Sequence, residues 1–143
     1  MKTKIAREFH WEMGHRLEHH QGLCRNIHGH SYRLWVEIEG EPDEQGMVMD
    51  YGDMKRIVTP VLGRLDHCFM CSESDGRMKE FFANTDFKVV YVPFETTAEN
   101  IASYLLDKLW VEFGGIGRIE SMRLRVCETR NTYAQVERSR ALP

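Results

Sequence analysis

The sequence predicts an α+β domain in which antiparallel strands form one sheet and helices pack on one of its faces. Apolar and polar residues alternate over 28–39, as in a half-buried strand. Apolar residues recur at helical spacing between Met54 and Leu65. Thr96 and Glu99 have the spacing of a capping box, with Thr96 as the N-cap of a second helix. Strand patterns lie before and after the helices, and this grouping favours α+β over α/β.

The first two predicted strands are joined by a loop. The segment 5–13 is a candidate strand, although its polarity does not follow the alternation cleanly, and 28–39 is the clearest strand. The segment 16–26 between them is predicted as a loop. A turn is predicted at 40–46, and 47–50 resumes an extended run.

The middle of the chain is predicted to hold one helix and one short strand. Asp50 or Asp53 can cap the helix, and Pro60 inside its pattern indicates a kink or a second helical start. Residues 68–86 are predicted to be irregular or weakly helical, and 87–92 to be a short β-branched strand.

The end of the chain supplies the second helix and the final strands. The helix opened by Thr96 is expected to end near Gly114 and Gly115. The segments 119–127 and 133–137 are predicted as two strands joined by a turn.

Composition excludes several classes of protein. A chain of 143 residues with 42% hydrophobic and 29% charged residues is typical of one globular domain. A net charge of −3 without a basic block argues against nucleic-acid binding. No apolar run approaches the length of a membrane span, and the first residues do not resemble a secretory signal. Four cysteines are few for this length, so we expect reduced thiols in a cytoplasm.

Histidine is concentrated in one segment, since five of the seven histidines lie between positions 15 and 30. His28 and His30 leave the same face of a strand, and Gly29 removes bulk between them. His15 ends the preceding strand and would meet them across a hairpin. Three imidazoles with a fourth position open are typical of catalytic zinc, so a metal site is predicted. Three other histidines compete for the third position: His10, His19 and His20.

Cys24 lies four positions before His28 in a glycine-containing loop. A nearby zinc ion would favour its thiolate, which can remove a proton. It could equally be a fourth zinc ligand or a buried small hydrophobic residue, and its spacing does not decide among these roles.

Two carboxylates and one cysteine pair complete the candidates. Asp66 and His67 can form the orienting half and the base half of a triad if the backbone turns both into one cleft. Glu128, at a strand end, can accept two hydrogen bonds from a guanidine-like edge. The C-x-x-C spacing of Cys68 and Cys71 lacks a second pair and a βαβ setting, so a redox or metal role is not favoured.

These pieces together resemble one known family, the 6-pyruvoyltetrahydropterin synthase/6-carboxytetrahydropterin synthase family. The resemblance covers nearly the whole chain, and its blocks fall in the family's order. The blocks are Trp11-x-x-x-His15-Arg16-Leu17, Cys24-x-x-x-His28-Gly29-His30-Ser31-Tyr32, Gly46-Met47-Val48-Met49-Asp50-Tyr51, Leu65-Asp66-His67, Thr97-Ala98-Glu99-Asn100 and Cys127-Glu128-Thr129.

The resemblance implies a tunnelling fold: a four-stranded antiparallel sheet with two helices on one face. It implies that subunits form trimeric β-barrels that stack in pairs as homohexamers, with active sites at subunit interfaces. Residues 1–143 would be a single pterin synthase-like domain. The stretch 68–95 is longer than in compact members, and it is expected to add a hairpin or lid at the edge of the barrel.

The resemblance also implies roles for individual residues. His15, His28 and His30 would be the zinc ligands. Cys24 would be the general base, with Asp66 and His67 as relay partners from a neighbouring chain. Glu128 would grip the guanidine-like edge of the pterin, and Thr97 would help to hold the ring.

Within the family, three residues between Cys24 and His28 resemble the bacterial enzymes of the queuosine pathway. That type implies a zinc-dependent lyase that converts 7,8-dihydroneopterin triphosphate to 6-carboxy-5,6,7,8-tetrahydropterin, acetaldehyde and triphosphate. Alternatives are the pyruvoyl-forming synthase, which uses the same substrate, and a pterin- or metal-binding module without catalysis. Candidate cations for the triphosphate are Arg16, Arg25 and Lys55.

The chain departs from the family pattern at two further positions. Trp11 stands where the family often has Phe, and Thr96 stands where Pro usually precedes Thr97.

Overall fold

The computed structural model describes residues 1–140 as ten elements. Its strands are β1 (Thr3–His15), β2 (His28–Gly40), β3 (Cys68–Ser72), β4 (Val89–Val92), β5 (Ile119–Thr129) and β6 (Thr132–Ser139). Its helices are α1 (Tyr51–Leu65), α2 (Gly76–Phe82) and α3 (Ala98–Phe113), with a short 3-10 turn at Leu23–Arg25. None of the helices within residues 1–140 is long and apolar enough to cross a membrane.

The sheet has six strands in the order β4-β3-β1-β2-β5-β6, so the prediction of four strands is wrong. β1, β2, β5 and β6 pair antiparallel and correspond to the four predicted strands. β3 pairs parallel with both β1 and β4, which makes the sheet mixed. The α+β prediction is confirmed for the antiparallel part, and three α-helices replace the two expected.

The core lies on one face of the antiparallel strands. Along β2 the residues Tyr32, Leu34, Val36 and Ile38 have 0% exposure, while the alternate positions are more exposed. α1 and α3 contribute to the same buried cluster, so both pack on this face. Each buried leucine-sized side chain there stabilises the fold by about 1.5–3 kcal/mol.

The segment 68–95 forms a parallel strand–helix–strand unit and not a hairpin. α2 lies inside the stretch predicted as irregular or weakly helical, and β4 confirms the strand predicted at 87–92, whereas β3 was not predicted. β3 is buried on both faces: Cys68 and Met70 join the main core, and Cys71 joins a second cluster with residues of α2. A strand covered on both sides shows no polar alternation, and for this reason the sequence pattern did not reveal it. The second cluster consists of Cys71, Met78 and Phe82, with Phe69 and Val89 packed against them.

The caps of the two long helices correct two predictions. Asp50 is the N-cap of α1, where its side chain accepts from Gly52 N, and residues 47–50 are not a strand. Pro60 lies inside α1, which is assigned as one continuous helix from Tyr51 to Leu65. Thr97 is the N-cap of α3, with its side chain accepting from Asn100 N, so the cap predicted at Thr96 was placed one residue too early.

Candidate metal centre

Strand pairing brings three histidines to one end of the sheet. His15 lies opposite His28 across the β1–β2 hairpin, and Met13 lies opposite His30. The ring centroids are 4.6 Å apart for His15–His28, 5.2 Å for His15–His30 and 4.9 Å for His28–His30. One ligand atom from each histidine lies within 4.8 Å of the other two.

Close strand approach at this point depends on glycine. Gly14 and Gly29 face each other in the register, between the His15–His28 and Met13–His30 pairs. A Cβ atom at Gly29 would lie 3.1 Å from the carbonyl oxygen of Met13, which is tighter than ordinary contact. The absence of a side chain therefore lets the two histidine-bearing strand ends approach.

The hydrogen bonds of the imidazoles leave their Nε2 atoms free. His15 Nδ1 lies 2.7 Å from Thr96 O, and His28 Nδ1 lies 2.7 Å from Asn26 O. A carbonyl oxygen only accepts, so Nδ1 carries the proton and Nε2 presents a lone pair. The Nε2 atoms of His15, His28 and His30 are buried and unpartnered within residues 1–140. His15 and His28 thus have the tautomer and outer partner of metal-binding histidines, and together with His30 they fit a zinc ion.

Burial also favours the neutral form of His15 and His30 by lowering their pKa values. His15 is 1% exposed, and burial lowers its pKa to about 4. The pKa of His30 is also lowered, first by burial and then by the charge of His28. A neutral imidazole at pH 7 is the form that binds a metal.

Glu128 lies beside the cluster at the end of β5. Its Oε1 atom is 3.9 Å from His15 Nε2, and its Oε2 atom is 3.9 Å from His30 Nε2. Tyr32 donates its hydroxyl to Glu128 Oε1 at 3.4 Å. Burial raises the pKa of Glu128 above its usual value. The site therefore places one half-buried carboxylate next to the three-histidine cluster.

Cys24 lies in the 3-10 turn Leu23–Arg25 and is partly exposed. Its carbonyl oxygen accepts from Leu17 N at 2.8 Å, which ties the turn to the chain just after β1. Its sulfur does not belong to the three-histidine group, so the described geometry does not favour Cys24 as a fourth zinc ligand.

Asp66 and His67 form a pair where α1 ends. His67 has φ 62°, a left-handed conformation that turns the two neighbouring side chains together. Asp66 Oδ1 lies 3.0 Å from His67 Nδ1 and accepts from Glu12 N at 2.9 Å. The bond from Glu12 N, with a smaller contribution from the His67 side chain, holds the Asp66 pKa below its usual value against the opposing effect of burial.

This pair lies at an open cavity of about 320 Å³ that Glu12, Ser31 and His67 line together with His30. The His67 side chain is 76% exposed. Among residues 1–140, no hydrogen bond joins Asp66 or His67 to the three-histidine cluster. His67 and His30 therefore border the same cavity without a hydrogen bond between them.

Thr97, and not the predicted Thr96, is the N-cap of α3, while Thr96 contacts the histidine cluster. The Thr97 side chain is used in capping α3. Thr96 is fully buried, and besides its carbonyl oxygen its hydroxyl lies 3.2 Å from His15 Nδ1. Pattern analysis missed Thr96, Asn26 and Tyr32 as neighbours of the cluster. Only the unusual Thr96 before Thr97 was a signal for one of them.

The three competing histidines lie outside the cluster. His10 pairs with Glu8, and His20 Nδ1 accepts from Gly22 N. His19 lies near Glu18 and Glu95, a second group of possible ligand atoms on a more exposed surface.

Cys68 and Cys71 lie within β3, inside the βαβ unit that the sequence did not reveal. Burial raises the pKa of each thiol to about 11, so neither is a thiolate at neutral pH. Residues three apart on a strand are separated by roughly 10 Å, beyond disulfide reach. The arrangement gives no support to a redox role.

Comparison with known proteins identifies the family. A family model described as 6-pyruvoyl tetrahydropterin synthase matches residues 4–139. The chain belongs to the 6-pyruvoyl tetrahydropterin synthase family. The resemblance seen in the sequence is thereby confirmed, and with it membership of a family of enzymes.

Relatives within this family have a more specific name. The 6-carboxy-5,6,7,8-tetrahydropterin synthase of Haemophilus influenzae is 40% identical over 114 residues, which cover 74% of this chain and 81% of the relative. The protein of the same name from Rickettsia conorii is 30% identical over 136 residues, covering 93% of this chain and 99% of the relative.

Solved structures support the fold. The 6-pyruvoyl tetrahydropterin synthase of Plasmodium vivax superposes with a TM-score of 0.79 at 19% identity, covering 97% of this chain and 99% of that one. The protein WS1659 from Wolinella succinogenes superposes with a TM-score of 0.79 at 24% identity, covering 95% of this chain and 98% of that one. Six strands and three helices are therefore one form of this family's fold.

Proposed function

We propose that this chain is a zinc-dependent lyase that converts 7,8-dihydroneopterin triphosphate and one water molecule to 6-carboxy-5,6,7,8-tetrahydropterin with release of acetaldehyde and triphosphate. The observation that supports this most is the convergence of three unpartnered Nε2 atoms beside the Glu128 carboxylate. The names of the relatives from Haemophilus influenzae and Rickettsia conorii favour the carboxy-forming reaction. The product belongs to queuosine biosynthesis, and the reaction takes place in the cytoplasm, where the Cys24 thiol stays reduced.

His15, His28 and His30 would hold the zinc ion through Nε2. Bound there, zinc supplies a Lewis acid for the hydroxyl oxygens of the substrate side chain, which makes the neighbouring C–H proton more acidic. The Nδ1 bonds to Thr96 O and Asn26 O fix the orientation of His15 and His28.

Proton transfer and substrate binding fall to other side chains. Cys24 as thiolate removes a proton from the substrate side chain, and His67, oriented by Asp66, moves protons at the next carbon. Glu128 accepts hydrogen bonds from the N–C–NH₂ edge of the pterin, and its hydrogen bond with Tyr32 orients the carboxylate. Thr97, at the start of α3, helps to hold the ring.

Assembly completes the site in this proposal. The His67 side chain is 76% exposed and the Asp66 side chain 43%, and within residues 1–140 neither is hydrogen-bonded to the histidine cluster. Following the family resemblance, a second copy of the chain would supply the pair that acts at each site, in a trimer or a hexamer built from two trimers. Residues 1–143 act as one domain, and residues 68–95 extend its sheet at one edge.

The deciding experiment is incubation of the zinc-loaded protein with 7,8-dihydroneopterin triphosphate and mass identification of every product. Acetaldehyde and a 6-carboxy product are expected. A pyruvoyl product without acetaldehyde would assign the chain to the alternative synthase. Binding of pterin without turnover would leave it a binding module.

The variant Cys24→Ala tests the assigned roles. Turnover should fall by about two to four orders of magnitude, the contribution of a general base. Zinc content, measured by atomic emission, should stay near that of the wild type. Loss of zinc from this variant would make Cys24 a ligand and contradict its role as base.

A further inference from the structure

The chain just after β1, the strand that ends at His15, is hydrogen-bonded to the turn at 72–75. Arg16 forms a two-pronged ion pair with Asp75, with Nε to Oδ2 at 2.7 Å and Nη2 to Oδ1 at 2.9 Å. Asp75 is 3% exposed, and its side chain also accepts from Met78 N as the N-cap of α2. The Arg16 guanidinium is thus paired with a buried carboxylate.

The same turn makes a second contact with this segment. Ser74 donates its hydroxyl to Glu18 Oε1 at 2.8 Å. Two residues of the turn therefore hold two residues that follow His15, and both contacts come from the 68–95 unit.

Arg16 also reaches the turn that contains Cys24. Its Nη1 donates to Arg25 O at 3.3 Å, and the neighbouring Leu17 N donates to Cys24 O at 2.8 Å. On the other side, the Arg16 carbonyl accepts the Thr96 hydroxyl at 3.2 Å. One residue thus connects the βαβ unit, the Cys24 turn and the outer partner of His15.

The pKa of Asp75 and the burial of Arg16 both support a structural role for the Arg16 guanidinium. Burial is the largest single influence on the pKa of Asp75 and would raise it, but the hydrogen bonds from Arg16 and from backbone N–H groups such as Met78 N, together with the Arg16 charge, lower the pKa. The Arg16 side chain is only 14% exposed. Its charge is compensated inside the fold, so it is a poor contact for the triphosphate.

We propose that the Arg16–Asp75 pair is a positioning device, through which the 68–95 unit holds the Cys24 turn beside the histidine cluster. The role of Cys24 in this statement rests on the proposed function. The geometric part does not, because it concerns only how firmly the turn is held. Arg16 and Asp75 touch no reacting atom in this assignment.

The test compares Asp75→Asn and Arg16→Lys with the wild type in the purified full-length protein. The first readout is the rate at which iodoacetamide alkylates Cys24, followed by peptide mass, since the other three cysteines are buried. We expect alkylation to become several-fold faster in Asp75→Asn. Arg16→Lys keeps the positive charge but cannot make both hydrogen bonds of the guanidinium to Asp75. It should therefore show a smaller increase in the alkylation rate.

The second readout is turnover of 7,8-dihydroneopterin triphosphate. Asp75→Asn should lower kcat by about tenfold, as for the loss of an outer partner, with KM near the wild-type value. An increase of KM in Arg16→Lys but not in Asp75→Asn would make Arg16 a triphosphate contact and overturn the proposal.

Arg140→Gln is the matched control for lost stability. Arg140 donates to the carbonyl oxygens of Ile119, Gly114 and Ile116, far along the chain from Cys24. Its loss should destabilise the fold but leave Cys24 alkylation unchanged. Equal acceleration in this control, or no acceleration in either test variant, would refute the positioning role.

The outcomes also separate this inference from the proposed function. If Asp75→Asn does not fold, Arg16→Lys supplies the same comparison. If the wild type does not turn over the pterin, the proposed function fails while the alkylation rates still decide whether the pair holds the turn.

Discussion

The antiparallel strands β1, β2, β5 and β6 and the parallel β3–α2–β4 unit are built on different principles. β2 buries one face and leaves the other more exposed, and its outward residues include Ser31 and Arg33. β3 buries both faces, one against the main core and one against α2. The buried face of β2 continues past Tyr32 to His30 and His28, so the site lies where that face ends, while β3 uses nearly all of its side chains for packing.

The candidate site residues therefore lie in one region, and the other region supports them. The three histidines and Glu128 lie on antiparallel strands, where register fixes which side chains meet. The parallel unit contacts that region at β1 and through the turn at 72–75. Substitutions in the two regions should therefore affect different measurements.

The largest effect is expected for His15→Ala in the antiparallel region. His15 is one of the three proposed zinc ligands. Mutation of an outer hydrogen-bond partner of a ligand typically lowers metal affinity by about 10–100-fold, and removal of a ligand itself should lower zinc affinity more than this. Chelator competition measures this, and His10→Ala is the control because His10 is exposed and outside the cluster. Unchanged zinc affinity in His15→Ala would contradict the metal site.

Phe82→Ala tests the parallel unit. Phe82 is 9% exposed in the second cluster, so truncation should cost about 3 kcal/mol of unfolding free energy. Zinc content of the folded variant should not change. The control is Phe81→Ala, because Phe81 is 55% exposed and its loss should cost much less. Equal costs from urea unfolding would show that α2 does not depend on this cluster.

The pH dependence of stability tests the link between the regions. The folded pKa of Asp75 is lowered, so its contribution is complete above the unfolded value of about 3.9 and is lost as pH falls through the folded value. A bond between charged groups of this kind contributes about 1.5–3 kcal/mol. Urea midpoints measured downward from pH 6 should fall less steeply in Arg16→Gln than in the wild type. Parallel curves would contradict the coupling.

The smallest effect is expected for Thr96→Val. The variant loses the hydroxyl near His15 Nδ1 but keeps the carbonyl oxygen that is the closer partner. Zinc affinity should fall by about tenfold at most, the lower end of the range for an outer partner. Thr96→Ser should behave as the wild type, and identical affinities for the Val and Ser variants would remove the hydroxyl from the site.

Local pattern predicted those elements that bury one face. The alternation in 28–39 and the helical spacing from Met54 to Leu65 are visible in the sequence because one face of each element is solvent-exposed and the other is buried. Segment 68–72 lacks that contrast because it is covered on both sides, so its strand was missed. Capping was placed one residue early because Thr96 and Thr97 are chemically equivalent in the sequence.

By itself the sequence determined the hairpin and the histidines at its ends, because strand periodicity fixes which side chains share a face. It also predicted Glu128 as a site residue and Asp66–His67 as a pair. Only the tertiary structure decided that Thr96 and Asn26 hold the imidazoles and that Arg16 pairs with Asp75. These contacts join residues on different loops, and nothing local in the chain records which loops will meet.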